Sequence, residues 1–311
     1  MVQSRQSYAL VPIICFVLII LIFSSYRAYN SLSSSHHGEA PQKSAIEAPS
    51  WLVWTSSAAH LRQRREIIRS TWQTLYRKAE FKPYFVIGTP SVEWLPVIKQ
   101  ENETYGDMIM IEGHADDKEF ATTLKPFETF KLFRDRAIAT GKKWDFVSKI
   151  DDDSFLNAGA FRREFLLPDM NRTIISRVIQ YGRPHVFPGG QFYTLTWDLV
   201  EILTALYETT SRDLVHDMDE QRKLKKRHED FMIADLMLEA GEQFEYVELT
   251  DQRAFDVITM GNVTEQSINV HRMKTDEQYL WVAAMFDETG YKGTVRHGID
   301  YEAKLRQSIQ P

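Results

Sequence analysis

Between Trp51 and Ile150, short apolar runs alternate with amphipathic stretches, and no other feature of the chain narrows the choice of fold as much. Trp51 to Thr55, Tyr84 to Gly88, Met108 to Ile111 and Trp144 to Ile150 read as strands. Between them, His60 to Tyr76 and Val92 to Glu103 have near-helical spacing. Thr122 to Thr140 carries Leu124, Phe127, Phe130, Phe133 and Ala137 three or four apart, with Ile138 next to the last, and stops at Gly141. Strand and helix in alternation predict an α/β fold with a mainly parallel sheet flanked by helices.

The strand ending at Ile150 runs directly into Asp151-Asp152-Asp153. Open α/β sheets bind ligands at the carboxyl ends of their strands. Three adjacent carboxylates repel one another when ionised, and a divalent cation would balance them. Oxygen ligands favour Mg2+ or Mn2+ over zinc. The triplet alone is equally compatible with a polar turn or a helix cap. Downstream, His228-Glu229-Asp230 opens the apolar-periodic run Phe231, Ile233, Leu236, Met237, Leu238, which ends before Gly241. Glu229 and Asp230 thus fall at a predicted helix N-terminus, where the helix dipole favours an ionised carboxylate.

Composition limits the partners. The 311 residues carry 37 Lys+Arg and 43 Asp+Glu, a net charge of −6. This balance offers nothing to attract nucleic acid. The one basic run, Arg222 to Arg227 with His228, reads as a solvated face. Cys15 is the only cysteine, so the folded part has no intrachain disulfide and depends on its core. Arg65 and Arg69, four apart on one predicted helical face, and Lys149 just before the Asp cluster are candidate partners for a diphosphate. Trp72 reads as core.

Taken together, Lys149-Ile-Asp-Asp-Asp-Ser-Phe-Leu156 resembles the lysine-hydrophobic-triple-aspartate segment of the β-1,3-galactosyltransferase family, whose relatives include β-1,3-N-acetylglucosaminyltransferases and fringe proteins. Arg64-Arg-Glu-Ile-Ile-Arg-Ser-Thr-Trp72, Phe85-Val-Ile-Gly88, and Asp117 with Thr123 and Lys125 are similar to further family segments in the same order. So are Phe187-Pro-Gly-Gly190 with Tyr193, Leu195 and Thr196, and His228-Glu229-Asp230-Phe231. The resemblance runs from Trp51 to about Ala240. Glu119, Ala121 and Thr122 depart from it, as do the single proline of Phe187 to Gly190 and the missing cysteines, which leaves sugar specificity open.

The resemblance implies a GT-A-like nucleotide-sugar-binding fold and inverting, metal-dependent transfer of a hexose, most often galactose in β-1,3 linkage, from a UDP-sugar to a glycan acceptor. It implies Asp151 and Asp152 on the donor side, beside the candidates Arg65, Arg69 and Lys149, with Asp153, Asp152 and His271 as metal ligands. Asp230, or failing it Glu229, is the implied base, and Gly189, Gly190 and Tyr193 the implied acceptor region. Two other readings stand beside this one: a non-catalytic luminal sugar-binding protein on a degenerate transferase domain, and a metal-dependent phosphoryl hydrolase.

Ahead of this domain, residues 9–26 contain the uncharged run Ala9 to Phe23, long enough for a thin bilayer, and read as an uncleaved signal-anchor. Residues 1–8 then form a cytoplasmic tail, and 27–50, rich in Ser, His, Ala and Pro, a flexible stem. Residues 51–311 form the luminal catalytic domain. Asn102, Asn171 and Asn262 begin N-x-Ser/Thr sequons, usable only in the secretory lumen. The expectation is a single-pass type II protein of the Golgi membrane.

Overall fold

The computed structural model describes residues 48–117, 120–180, 182, 184–213, 228–257 and 263–293. The span at 9–26, the tail, the stem as far as residue 47, the basic run up to Arg227 and Asn262 lie outside them. Among the described residues no helix is long and apolar enough to cross a membrane.

The first strands come from the apolar runs: β1 (Trp51–Ser56), β2 (Phe81–Thr89), β3 (Met108–Ala115) and β4 (Phe146–Asp151). The stretch after β1 forms two helices, α1 (Arg62–Ser70) and α2 (Trp72–Leu75), broken at Thr71. Helix α3 (Leu95–Tyr105) starts later than its sequence pattern predicts, with a proline in its first turn, and leaves Val92 exposed. Before α4 (Lys125–Thr140), Phe120–Leu124 adopts a π-helical turn. Gly141 closes α4 in the left-handed conformation its position requires, with φ at 69°.

After a short β5 (Phe155–Leu156) come α5 (Ala158–Phe165), β6 (Thr173–Ile179), β7 (Phe187–Thr196), α6 (Trp197–Asp213), α7 (Glu229–Glu239) and β8 (Glu245–Glu248). The main sheet has the order β3-β2-β1-β4-β7-β6-β8. Pairing is parallel from β3 across to β4, antiparallel on both sides of β7, and parallel again between β6 and β8. This is the mixed, mainly parallel α/β sheet expected of a GT-A-like fold. The antiparallel β7 was not predicted: it follows β6 directly, and a short connection between paired strands forces reversal.

Alternation along the strands divides the core. Trp51 and Val53 of β1 face one layer with Ile67, Ile68, Trp72 and Phe161, so Trp72 is core as its sequence context suggested. Leu52 and Trp54 face the other, filled by the Phe127, Phe130 and Phe133 stripe of α4 and by Leu199, Val200 and Leu203 of α6. Gly88 sits where a Cβ would lie 2.6 Å from the His114 carbonyl oxygen, so β2 and the chain leaving β3 approach this closely only because position 88 is glycine.

A smaller sheet completes the unit. β9 (Ala254–Asp256) runs parallel to β10 (Asn269–His271), and β10 runs antiparallel to β5. Helix α8 (Asp276–Ala284) follows, opened by a capping box at Thr275 and Gln278, and then the β11 (Phe286–Asp287) and β12 (Gly290–Tyr291) hairpin.

Candidate active site

The site lies at the carboxyl end of β4, where Asp151 pairs with Ser56 at the end of β1. Residues two apart on a strand share a face, so Lys149 and Asp151 meet: Nζ lies 2.6 Å from Asp151 Oδ1. Lys149 is 3% exposed. Its other hydrogens go to the Gly190 carbonyl of β7 and, at 2.9 Å, to Glu229 Oε1 at the start of α7. Burial works against the ammonium, yet Asp151 and Glu229 hold its pKa well above the ordinary lysine range.

Past the strand, the hydrogen bonds that fix the acidic loop come from the segment that follows β10 and from α8. The Met273 N–H donates to the Asp153 carbonyl at 3.1 Å, and the Tyr279 hydroxyl donates to the Ser154 carbonyl at 2.7 Å. These contacts, with β5 pairing on β10, carry His271 to the acids. Its Nε2 stands 3.2 Å from Asp153 Oδ1 and 3.8 Å from Asp151 Oδ2. Asp151, Asp153 and His271 offer ligand atoms all within 4.8 Å of one another. Two carboxylates and one imidazole are a donor set compatible with a divalent metal ion.

Electrostatics in the cluster are uneven. Despite burial, His271 and Lys274, whose ammonium contacts Asp153 Oδ2, hold Asp153 well below the usual carboxylate range. Burial opposes charge on His271 too, but hydrogen bonds to Asp153 and Asp256 push it up to about 9. Asp152 goes the other way, raised to about 7 by burial and by the neighbouring charges of Asp153 and Asp151. The grouping differs from expectation in one respect: Asp151, placed on the donor side from sequence, joins Asp153 and His271, while Asp152 stands outside the group. β4 ends at Asp151, and the turn that follows brings Asp153 back beside it while Asp152 stays outside the group.

Across Lys149 lies the first turn of α7. Glu229 is buried and committed to Lys149, whereas Asp230 is half-buried, with Oδ1 accepting from the Phe231 N–H at 2.8 Å. Burial raises the Asp230 pKa, opposed by that N–H, Lys149 and His228. Gly190 belongs here: a Cβ at that position would touch Asp230 Oδ2 and Glu229 Oε1, each at 3.4 Å.

Several residues grouped with the site by sequence sit elsewhere. All five N–H groups of Arg65 are taken, by both Glu101 carboxylate oxygens, Ser57 Oγ and the carbonyls of Ala58 and Ala59, so none is left for a diphosphate. Arg69 is bound to Glu101, Asp107 and Glu66 and lies over the Phe85 and Tyr105 rings. Asp107 precedes β3, so Arg69 faces the amino end of the sheet, opposite the acids. The i, i+4 spacing did place both arginines on one face, but that face is turned to α3. Tyr193 is buried in the core but is the registered partner of Lys149, whose ammonium lies 5.9 Å from its ring centre. A Cβ at Gly189 would lie 3.2 Å from the Arg177 carbonyl oxygen of β6, so of the expected acceptor region Gly190 and Tyr193 border the site and Gly189 faces β6.

Asp256, Lys274 and Tyr279 had no signal in the sequence; they come to the cluster from β9, from the segment after β10 and from α8. Lys125, noted only for its spacing, is buried and ion-paired with Asp116 at 2.6 Å, and its Nζ donates to the Ser57 carbonyl.

Residues 63–186 match the family described as Galactosyltransferase. This segment, less than half of the chain, is similar to that family. The family segment spans α1 to the threshold of β7 and includes Asp151 to Asp153; Asp230 and His271 lie beyond it and stand on geometry alone. The match supports a glycosyltransferase. Among solved structures, the chain is similar to the galactosyltransferase LgtC in complex with donor and acceptor sugar analogs, at 9% identity and a TM-score of 0.45 over 75% of this chain and 95% of that one. A glycosyltransferase involved in glycosylation of the PBCV-1 major capsid matches at 9% and 0.41, over 75% and 98%. The 4-diphosphocytidyl-2C-methyl-D-erythritol synthase of Anaerococcus prevotii matches at 14% and 0.41, over 77% and 96%.

Proposed function

We propose that this protein belongs to the galactosyltransferase family and transfers a hexose, galactose in β-1,3 linkage foremost, from a UDP-sugar to a glycan acceptor with inversion and with Mn2+ or Mg2+ bound. The observation that carries the reading is the pair of carboxylate centres joined by Lys149: Asp151 and Asp153 with His271 on one side, Asp230 on the other. A bound cation supplies positive charge for the departing diphosphate. Asp153, Asp151 and His271 would hold it, and Asp152 borders the donor beside them.

Asp230 accepts the proton of the acceptor hydroxyl as its oxygen attacks the anomeric carbon and the bond to UDP breaks. The raised pKa strengthens Asp230 as a base. An oxocarbenium-like transition state requires base and leaving group on opposite faces of the sugar. Lys149, gripping both Asp151 and Glu229, maintains that separation. The absence of a side chain at Gly190 keeps the approach to Asp230 open.

The setting belongs to the same proposal. Residues 9–26 anchor the protein in the Golgi membrane as a type II protein, 27–50 serve as stem, and 51–311 face the lumen. Asn102, Asn171 and Asn262 are then acceptors for N-glycans; the first two are exposed. The deciding experiment incubates the purified full chain with Mn2+ and a panel of UDP-sugars and measures UDP release. UDP-galactose turnover abolished by EDTA is expected, and no turnover of any UDP-sugar would overturn the reading.

A further inference from the structure

The ring of His271 is held from both sides. On the cluster side Nε2 faces Asp153 and Asp151; on the far side Nδ1 lies 2.7 Å from Asp256 Oδ1. Asp256 is no chance neighbour. In the parallel pairing of β9 with β10, Asp256 is the registered partner of His271, and the Val257 N–H donates to the His271 carbonyl at 2.8 Å. Registered residues of paired strands point to the same face, so the small sheet itself sets carboxylate against imidazole. The second Asp256 oxygen receives Arg272 Nη1 at 3.3 Å, which fixes the plane of the carboxylate.

We propose that Asp256 is a positioning residue for the metal centre, fixing the His271 ring and its tautomer so that Nε2 presents its lone pair to the cation shared with Asp151 and Asp153. This rests on the metal-dependent reading above. An ionised carboxylate only accepts hydrogen bonds, so the ring proton must sit on Nδ1, leaving Nε2 the ligating nitrogen. With Asp256 gone, the ring would be free to rotate and to carry its proton on either nitrogen. A half-exposed His–Asp pair of purely structural use would contribute little to stability and nothing to metal affinity.

The test is Mn2+ titration by calorimetry on the full chain with saturating UDP, for wild type, Asp256→Ala and Asp256→Glu. Asp256→Ala is expected to weaken Mn2+ binding about 10- to 100-fold, with partial recovery in Asp256→Glu. Binding by wild type with equal affinity in Asp256→Ala would overturn the positioning role and leave the metal reading intact. Absence of Mn2+ binding by wild type would overturn both. A second measurement needs no variant: in the Mg2+-loaded wild type, 15N spectra should place the His271 proton on Nδ1, and a proton on Nε2 would overturn the assignment even if Asp256→Ala failed to fold.

Discussion

Lys149 Nζ lies 2.9 Å from Glu229 Oε1, an ion pair buried on both sides that ties β4 to α7 across 80 residues of sequence. Removing one partner of such a pair strands the other charge in the interior. Lys149→Met is therefore expected to cost about 3–5 kcal/mol in denaturant unfolding. Adding Glu229→Gln should restore part of the loss. A double variant no more stable than Lys149→Met would show that the stranded Glu229 charge is not the source.

Arg65→Lys keeps the charge but loses the planar fork that serves five acceptors. Unmade hydrogen bonds in a buried network cost about 1–3 kcal/mol each, so unfolding free energy should fall by at least about 2 kcal/mol. UDP affinity, measured by calorimetry at a temperature where both proteins are folded, should be unchanged. A fall in UDP affinity at unaltered stability would return Arg65 to the donor site.

Glu101 makes a pH prediction. Burial pushes its pKa up, but hydrogen bonds from Arg65 and Arg69 hold it below the ordinary glutamate value. A carboxylate depressed in the folded state contributes stability that is fully present above the unfolded pKa, about 4.3, and is lost as pH falls through the lower folded value. Wild type should therefore lose stability in that acidic window more steeply than Glu101→Gln. Parallel acid melts of the two proteins would refute the ion-pair account.

Asp230→Asn tests the base. The isosteric amide cannot take a proton, so transfer should drop by about 100-fold or more, with UDP affinity and melting temperature nearly unchanged. Retained turnover with a lowered melting temperature would mean that Asp230 serves only the first turn of α7, where it accepts from the Phe231 N–H. Glu229 is not a ready substitute, because Lys149 occupies it.

The sequence by itself determined the strand and helix order as far as β4, the terminators at Gly141 and Gly241, the burial of Trp72, and the position of the Asp cluster at the end of β4. These are local properties: hydrophobic period, glycine conformation and strand polarity are written within windows of a few residues. The tertiary structure decided which polar residues meet. Arg65 and Lys149 carry equal charge and both stand near strand ends, yet one is spent on Glu101 while the other bridges Asp151 and Glu229. His271 reaches Asp153 over more than a hundred residues, because β10 pairs with β5. Side-chain partnership depends on sheet order and register, which set distances across the chain rather than along it, so no local pattern could have put Asp256 beside His271 or turned Arg69 away from the site.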